Sequence, residues 1–196
     1  HKGRSRIAAC ALLAAATIAV YWQVHGFGFI AIDDSLYVSK NRQVLKGITW
    51  DSVRWAFSTT EGANWHPLTW ISLMADAHIG RLLVPGFGRS PSAGIFHVTN
   101  AGLHVINTLL LFALLSRVTG AVWRSAFTAA LFGIHPLHVE SVAWVSERKD
   151  VLSGLFWMLT LHSYVRYAGR PAARRYLAAL ALFALGLMAK PMLVSL

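Results

Sequence analysis

The sequence predicts an all-α membrane protein made of several membrane-spanning helices. Two observations predict this fold class: 56% of the residues are hydrophobic, and only 13% are charged. The mean hydropathy of +0.51 likewise lies well outside the range of an ordinary soluble domain. Because lipid cannot satisfy an open backbone, apolar segments of this kind cross a bilayer as helices.

Five apolar segments are each long enough, or nearly so, to cross a bilayer. The predicted spans are residues 7–24, 95–115, 125–145, 151–167 and 177–196, and residues 25–94 form a long external loop. The first apolar run continues into Tyr21 and Trp22, which favours a retained anchor over a cleaved signal peptide. Within the loop, residues 49–57 and 65–78 predict short amphipathic helices, and the Gly- and Pro-rich residues 80–94 close it.

The distribution of charge predicts how the spans are oriented. Half of the eighteen basic residues lie in the N-terminal segment and two short loops that contain no acid: Lys2, Arg4, Arg6, Arg117, Arg124, Arg166, Arg170, Arg174 and Arg175. The positive-inside rule places these segments, and the N-terminus, in the cytoplasm. All eight acidic residues then lie on the external side. The net charge of +10 therefore reports topology and does not indicate nucleic-acid binding.

We expect the chain to be the N-terminal part of a longer protein. It starts at His1 and stops inside an apolar run that follows Lys190 and Pro191. The single cysteine, Cys10, lies in the first predicted span and allows no internal disulfide.

A pair of carboxylates follows the first span directly. In such a pair, one carboxylate can accept a proton while its neighbour orients it or shifts its pKa, or both can bind a cation. Asp33 and Asp34 are therefore candidate catalytic residues, and the alternative is a solvated helix end.

Four polar residues form a stripe on the second span. At 100° per residue, His97, Asn100, His104 and Asn107 lie within an arc of about 80°. Such a stripe faces protein or a wet cavity. It either contributes to a polar site or hydrogen-bonds to neighbouring helices.

The most informative segment is residues 135–150, which starts about ten residues into the third predicted span. A helix places His135, His138 and Glu140 near mid-bilayer depth, where polar groups usually mark function. They do not converge on a metal unless Pro136 kinks the helix. The segment ends in a mixed-charge turn of Glu147, Arg148, Lys149 and Asp150. Its cations could hold an anionic group, and the alternative is a salt-bridged hairpin tip.

Lys190 is predicted to lie about thirteen residues into the last span. A lysine at that depth requires an anionic partner or must extend its ammonium group to the interface.

Several of these segments, in the same order, resemble the transmembrane and tetratricopeptide-repeat O-mannosyltransferase family and its bacterial relatives. The matching segments are residues 33–38 (DDSLYV), 64–70 (NWHPLTW), 97–104 (HVTN, then LH), 107–112 (NTLLLF), 135–150 and 188–192 (MAKPM). The resemblance covers nearly the whole chain, and residues 135–150 are its most specific part.

The resemblance implies a GT-C-like helical bundle and an integral-membrane glycosyltransferase. It implies transfer of a sugar, mannose, from a polyprenyl- or dolichyl-phosphate donor to a protein Ser/Thr hydroxyl on the external or lumenal face. The catalytic acid maps onto Asp33 or Asp34, while Arg148, Lys149 and Lys190 would hold the donor phosphate. The remaining candidates shape or support the sugar and acceptor pocket: His66, His97, Asn100, His104, His135, His138, Glu140, Glu147 and Asp150. No cofactor is expected with certainty, and a divalent metal is left open.

The expected location is the bacterial inner membrane or the endoplasmic reticulum membrane. Further spans and tetratricopeptide repeats are expected beyond this chain. The alternative function is a proton-coupled transporter or channel, because proton relays also use intramembrane His, Glu and Lys. No internal repeat of the transporter kind is found, which favours the transferase.

Overall fold

The computed structural model describes residues 2–88 and 91–195. These residues form nine α-helices joined by short 3₁₀ and π turns, with no β-strand among them, which confirms the all-α class. The helices are α1 Lys2–Tyr21, α2 Arg42–Leu45, α3 Trp50–Ser58, α4 Pro67–Leu83, α5 Ala93–Thr119, α6 Val122–Ile134, α7 Val139–Ala143, α8 Arg148–Gly169 and α9 Ala173–Ala189.

Two helical segments in the described part of the chain are long and apolar enough to cross a membrane. They are Gly3–Gly26 and Ala93–Thr119, which coincide with the first two predicted spans. Helix α6 has 13 residues and extends about 20 Å, which is less than the roughly 30 Å of a hydrocarbon core. The multi-span arrangement beyond α1 and α5 stays a prediction.

The predicted span 125–145 is not one helix. Helix α6 ends at Ile134, and His135 is extended with φ −67° and ψ 131°. Proline disfavours the helical conformation of the residue before it, so Pro136 ends the helix there. Residues 136–147 then form short helical turns around α7. The prediction of one continuous helix over residues 125–145 is therefore wrong, and the depth of His135 and Glu140 in a bilayer stays a prediction.

A second proline acts in the same way at the end of α9. Lys190 precedes Pro191 and is extended, with φ −153° and ψ 122°. Lys190 thus lies just beyond the end of α9 and not inside a helix, and the predicted end of the last span at residue 196 lies outside the described residues. At the start of α4, Pro67 occupies the first turn, where its missing N–H costs nothing. Proline therefore places His66, His135 and Lys190 at helix ends.

The polar stripe of α5 organises the segments around it. His97, Asn100, His104 and Asn107 are all buried. Each side chain reaches a backbone carbonyl in another segment: His97 to Gly28 (3.4 Å), Asn100 to Trp144 (3.0 Å), His104 to Gly133 (3.0 Å) and Asn107 to Val151 (2.8 Å). Gly133 and Trp144 lie at helix ends, where carbonyls lack partners within the helix. The stripe is therefore used for hydrogen bonding between segments, one of the two predicted alternatives.

The segment between α1 and α5 has its own apolar core. Tyr37, Val38, Val44, Trp70 and Leu73 are buried together there. The helices predicted at residues 49–57 and 65–78 are present as α3 and α4, although α4 continues to Leu83. The predicted loop 80–94 is correspondingly shorter, and its residues 89 and 90 lie outside the described residues. This core packs the start of α4 against the turn that follows Asp34.

Candidate functional site

Four chain segments meet on one side of the bundle, and we call this region the junction site. The segments are the turn 33–39, the start of α4, the start of α8 and the end of α9. The Lys149 ammonium lies 5.2 Å from the centre of the Tyr37 ring, joining α8 to the turn. Thr69 donates a hydrogen bond to the Ala189 carbonyl (2.9 Å), joining α4 to α9. An ion pair between Lys190 and Asp150 joins α9 to α8.

The two neighbouring carboxylates have different surroundings. Asp34 is fully buried, and its two oxygens accept hydrogen bonds from the backbone N–H groups of Ile30 (2.8 Å) and Ser146 (2.9 Å). A carboxylate held by two charge-assisted backbone hydrogen bonds is fixed in place. Asp34 therefore ties the turn after α1 to the start of α8 across 112 residues of sequence.

Asp33 is half-buried, and no donor in the described part of the chain hydrogen-bonds to its carboxylate. Its backbone carbonyl accepts from Leu36 and Tyr37, both at 2.9 Å, which starts the π turn Ser35–Ser39. Its charge also contributes to the electrostatic environment of the Tyr37 hydroxyl. Of the pair, Asp33 is the carboxylate with free hydrogen-bonding capacity.

Arg148 is fully buried and does not face a ligand space. Its guanidinium donates to Asn100 Oδ1, to Ser72 Oγ (2.8 Å), to Asp76 Oδ2 and to the Phe96 carbonyl (2.9 Å). These partners belong to α4 and α5, so Arg148 locks the start of α8 against both helices. This position does not fit the phosphate contact predicted for Arg148.

Asp76 is the charged partner that sequence reasoning missed. Burial raises the pKa of its carboxyl above the usual value, and the charge of Arg148 and the hydrogen bonds from Arg148 and Thr99 oppose that rise. Asp76 is the only acid in α4. The signal available in the sequence was this single acid within a largely apolar helix, because a carboxylate that is buried there requires a positively charged partner.

The two lysines of the junction site are each paired with a carboxylate and remain partly exposed. Lys149 Nζ donates to Glu147 Oε1 (2.7 Å), with the side chains 17% and 15% exposed. Lys190 and Asp150 are 23% and 28% exposed. Partial exposure leaves both ammonium groups reachable by an anion that enters the site. The predicted mixed-charge turn 147–150 is salt-bridged through Lys149 and Glu147, and residues 148–150 begin α8.

Three aromatic rings stack beneath Lys149. The ring of His66 lies 5.7 Å from that of Tyr37 and 5.1 Å from that of Trp70, at interplanar angles of 10° and 26°. Both His66 nitrogens are buried, and neither has a partner among the described residues. Burial, with a smaller effect of the Lys149 charge, lowers the pKa of His66 to about 4. His66 is therefore neutral at pH 7, with one N–H and one lone pair unused.

The Tyr37 hydroxyl is also perturbed. Burial raises the pKa of Tyr37 to about 12, and the charges of Glu147 and Asp33 add to the effect. Gly62, at φ +75°, passes close over the ring, and a Cβ atom there would lie 2.7 Å from the hydroxyl oxygen. Only glycine fits both the backbone conformation and the space. No role for Tyr37 was predicted from the sequence.

A cavity of ≈ 350 Å³ adjoins the Lys190–Asp150 ion pair. Its lining includes His104, Asn107, His138, Ser141, Asp150 and Trp157. The buried Oδ1 of Asn107 has no partner among the described residues. Three residues predicted for a sugar pocket, His104, His138 and Asp150, therefore share one space.

The other predicted residues lie apart from this cavity or inside the protein. His135 and Glu140 are exposed beside Pro136, and His97 and Asn100 are buried in the contacts of α5. Within residues 2–88 and 91–195, no group of three or more His, Cys, Asp or Glu side chains could hold a metal ion.

Comparison with known proteins gives relatives over most of the chain. The sequence is 29% identical over 165 residues to "Protein O-mannosyl-transferase Tmtc2" of Drosophila melanogaster and 31% identical over 170 residues to "Protein O-mannosyl-transferase TMTC1" of Mus musculus. Each alignment covers 81% of this chain but 17% of the relative. A shorter alignment, over 72 residues and 36% of this chain, is 40% identical to human "Protein O-mannosyl-transferase TMTC1" and covers 8% of it.

No family model matches the sequence, and no solved structure matches the chain. The chain spans about a sixth of the length of the first two relatives. Both alignments cover most of this chain, at 29% and 31% identity. The chain is therefore a homologue of the transmembrane and tetratricopeptide-repeat O-mannosyltransferases, which confirms the family resemblance predicted from its motifs.

Proposed function

We propose that this chain supplies the catalytic base and the donor-binding groups of a membrane glycosyltransferase active site. The enzyme would transfer a sugar, mannose, from polyprenyl or dolichyl phosphate to a Ser or Thr hydroxyl of a protein. The difference between the two neighbouring carboxylates is the observation that carries this proposal. Asp34 is held by two backbone N–H groups, whereas Asp33 keeps a free carboxylate in the junction site. The relatives are named protein O-mannosyl-transferases, which supports mannose transfer to protein.

The proposed chemistry is an inverting displacement at the anomeric carbon of the donor sugar. The acceptor oxygen forms the new bond, the bond from the anomeric carbon to the phosphate oxygen breaks, and Asp33 takes the acceptor proton. The lipid phosphate leaves with the bonding electrons. Lys149 and Lys190 offer positive charge for that leaving group, and their present carboxylate partners mark where an anion can bind.

The cavity beside Asp150 is proposed to receive the sugar ring. Its size suits a hexose, and Asn107, His138, Ser141 and Asp150 provide hydrogen-bonding groups along its wall. Trp157 provides an aromatic face, which suits the apolar face of a sugar ring. His66 would donate or accept one hydrogen bond to the donor or the acceptor, because its nitrogens are unpaired.

Arg148 takes a positioning role in this proposal in place of phosphate binding. Its network fixes the first turn of α8, and therefore the place of Lys149 and Asp150. The exposed His135 and Glu140 have no assigned part in the chemistry and would contribute to acceptor binding at most. Addition of a chelator to the transfer assay distinguishes a cation site at Asp33 and Asp34 from a proton acceptor.

The proposed orientation puts the junction site on the external or lumenal side. It follows from the acid-free basic segments, with the N-terminus in the cytoplasm. The proposed location is the bacterial inner membrane or the endoplasmic reticulum membrane. The transporter alternative has no support from a specific contact, because the stripe of α5 is bound to backbone carbonyls.

The direct test is an in vitro transfer assay with the full-length protein and a panel of polyprenyl- and dolichyl-phosphate sugars. We expect transfer to a Ser/Thr-containing acceptor from the mannosyl donor, with free polyprenyl phosphate released in equal amount. The absence of transfer from every lipid-phosphate donor, combined with transfer from a nucleotide sugar, would contradict the proposal. The matched control omits the acceptor and measures hydrolysis of the donor.

A further inference from the structure

A second cavity lies at the opposite end of α8 and is lined by five arginines. Its volume is ≈ 1040 Å³, and its walls come from the end of α5, the end of α8 and the start of α9. The arginines are Arg117, Arg166, Arg170, Arg174 and Arg175, and Ser163 adds a hydroxyl. Helix α8 has 22 residues, so this cavity is about 30 Å from the junction site.

Among the described residues, no carboxylate forms an ion pair with these arginines. The sequence has no Asp or Glu from residue 77 to residue 139, and none from residue 151 to residue 196. The three ion pairs found among the described residues all lie elsewhere. Arg175 donates to the backbone carbonyl of Arg170 (2.6 Å), an arrangement that holds the α8–α9 connection without neutralising either charge. Like charges around one cavity are unfavourable unless an anion fills it.

We propose that this arginine cavity binds phosphate groups presented by anionic phospholipids. Arginine forms two parallel hydrogen bonds with a phosphate, and basic pockets between membrane helices on the cytoplasmic side are suited to lipid head groups. The positive-inside rule requires only that basic residues lie somewhere in these loops. It does not require residues from three helix ends to line one cavity, and this shared lining points to a ligand.

The test measures binding of the full-length protein in detergent to dioctanoyl-phosphatidylglycerol, with dioctanoyl-phosphatidylcholine and inorganic phosphate as the other probes. The variant Arg170→Gln/Arg174→Gln removes two charges from the cavity. The matched control, Arg4→Gln/Arg6→Gln, removes two charges from the same predicted side without touching a cavity-lining residue. Binding is measured at 0.15 M salt, where charges farther away than roughly 8 Å are largely screened.

We expect phosphatidylglycerol to bind more tightly than phosphatidylcholine. The cavity variant should lose about tenfold or more in affinity for phosphatidylglycerol, and the control should lose less than about twofold. Binding of inorganic phosphate with equal strength would assign the site to soluble phosphates instead of lipids. Equal affinity for both lipids, or equal losses in the two variants, would overturn the proposal.

A charge-conserving variant covers the case in which the glutamine variant inserts incorrectly. Arg170→Lys/Arg174→Lys keeps the net charge and therefore the orientation, but it removes the paired donors of the guanidinium. We expect it to lose affinity for phosphatidylglycerol as well, by a smaller factor than the glutamine variant. Unchanged affinity would show that the positive charge of the loop is sufficient for binding and that the arginines do not form a specific phosphate site.

Discussion

The buried network of Arg148 should be the most sensitive stabilising feature of this chain. Its guanidinium is fully buried and donates to four acceptors on α4 and α5, one of which is the Asp76 carboxylate. Arg148→Met removes every donor and leaves Asp76 buried with only the hydroxyl of Thr99 as a donor (2.8 Å). Removal of one partner of a buried ion pair costs about 3–5 kcal/mol, so we expect a loss of that size.

Conservative variants separate the charge from the geometry. Arg148→Lys keeps the charge but has no planar fork, and it should lose at least two of the four hydrogen bonds, at a cost of about 2–3 kcal/mol. The double variant Asp76→Leu/Arg148→Met should cost less than the sum of its single variants, because it leaves no buried charge unpaired. Arg54→Met on the exposed surface of α3 is the control and should change stability by less than about 0.5 kcal/mol.

The measurement is denaturant-induced unfolding in mixed detergent micelles, followed by tryptophan fluorescence. A loss in Arg148→Met no larger than that in Arg54→Met would refute the reasoning. It would show that the guanidinium can reach water and exchange its partners freely. Additive losses in the double variant would likewise show that Asp76 and Arg148 do not stabilise each other.

Three further outcomes are expected. Burial lowers the pKa of His66 to about 4 in the folded chain, whereas the pKa is about 6.5 in the unfolded chain. The unfolded chain therefore binds the proton first as the pH drops from 6.5 to 4, and the free energy of unfolding should fall by up to roughly 3 kcal/mol. His66→Phe should remove this part of the acid dependence, and its persistence would point to another group. Lys149→Ala and Lys190→Ala should each weaken apparent donor affinity about ten- to a hundredfold, whereas unchanged values would limit both lysines to their ion pairs. Single-cysteine labelling should find residues 33–90 on the external side and residues 116–124 in the cytoplasm. Cytoplasmic labelling of residues 33–90 would place the junction site on the cytoplasmic side and contradict the proposed orientation.

The all-helical class could be predicted because composition and apolar run length depend only on local sequence. The same applies to the stripe of α5, whose four residues share one face at helical spacing. The prediction of one continuous helix over residues 125–145 was wrong because it relied on the length of the apolar run. It did not take into account that Pro136 disfavours the helical conformation of His135. Lys190 was misplaced for the same reason, since Pro191 follows it.

The roles within the site could be predicted only in part, because they depend on contacts between distant segments. The sequence did not distinguish Asp33 from Asp34 as the catalytic carboxylate. The two differ in the structure because Asp34 accepts a hydrogen bond from the N–H of Ser146, which lies 112 residues away along the chain. Arg148 was expected to face a ligand because it sits among charged neighbours. Its burial depends on Asp76, and that pairing is set by how α4 packs against α8.

The transfer rates of Asp33→Asn and Asp34→Asn, measured side by side in the full-length protein, test the proposed catalytic role most directly. Asp33→Asn should reduce turnover by roughly 10²–10⁴-fold while donor affinity and membrane insertion stay normal, because a general base acts on the acceptor proton in the transition state. Asp34→Asn should lose stability by about 1–3 kcal/mol, since an amide nitrogen cannot accept a backbone hydrogen bond, and its turnover defect should be smaller. Near wild-type turnover in Asp33→Asn would contradict the assignment of Asp33 as the base.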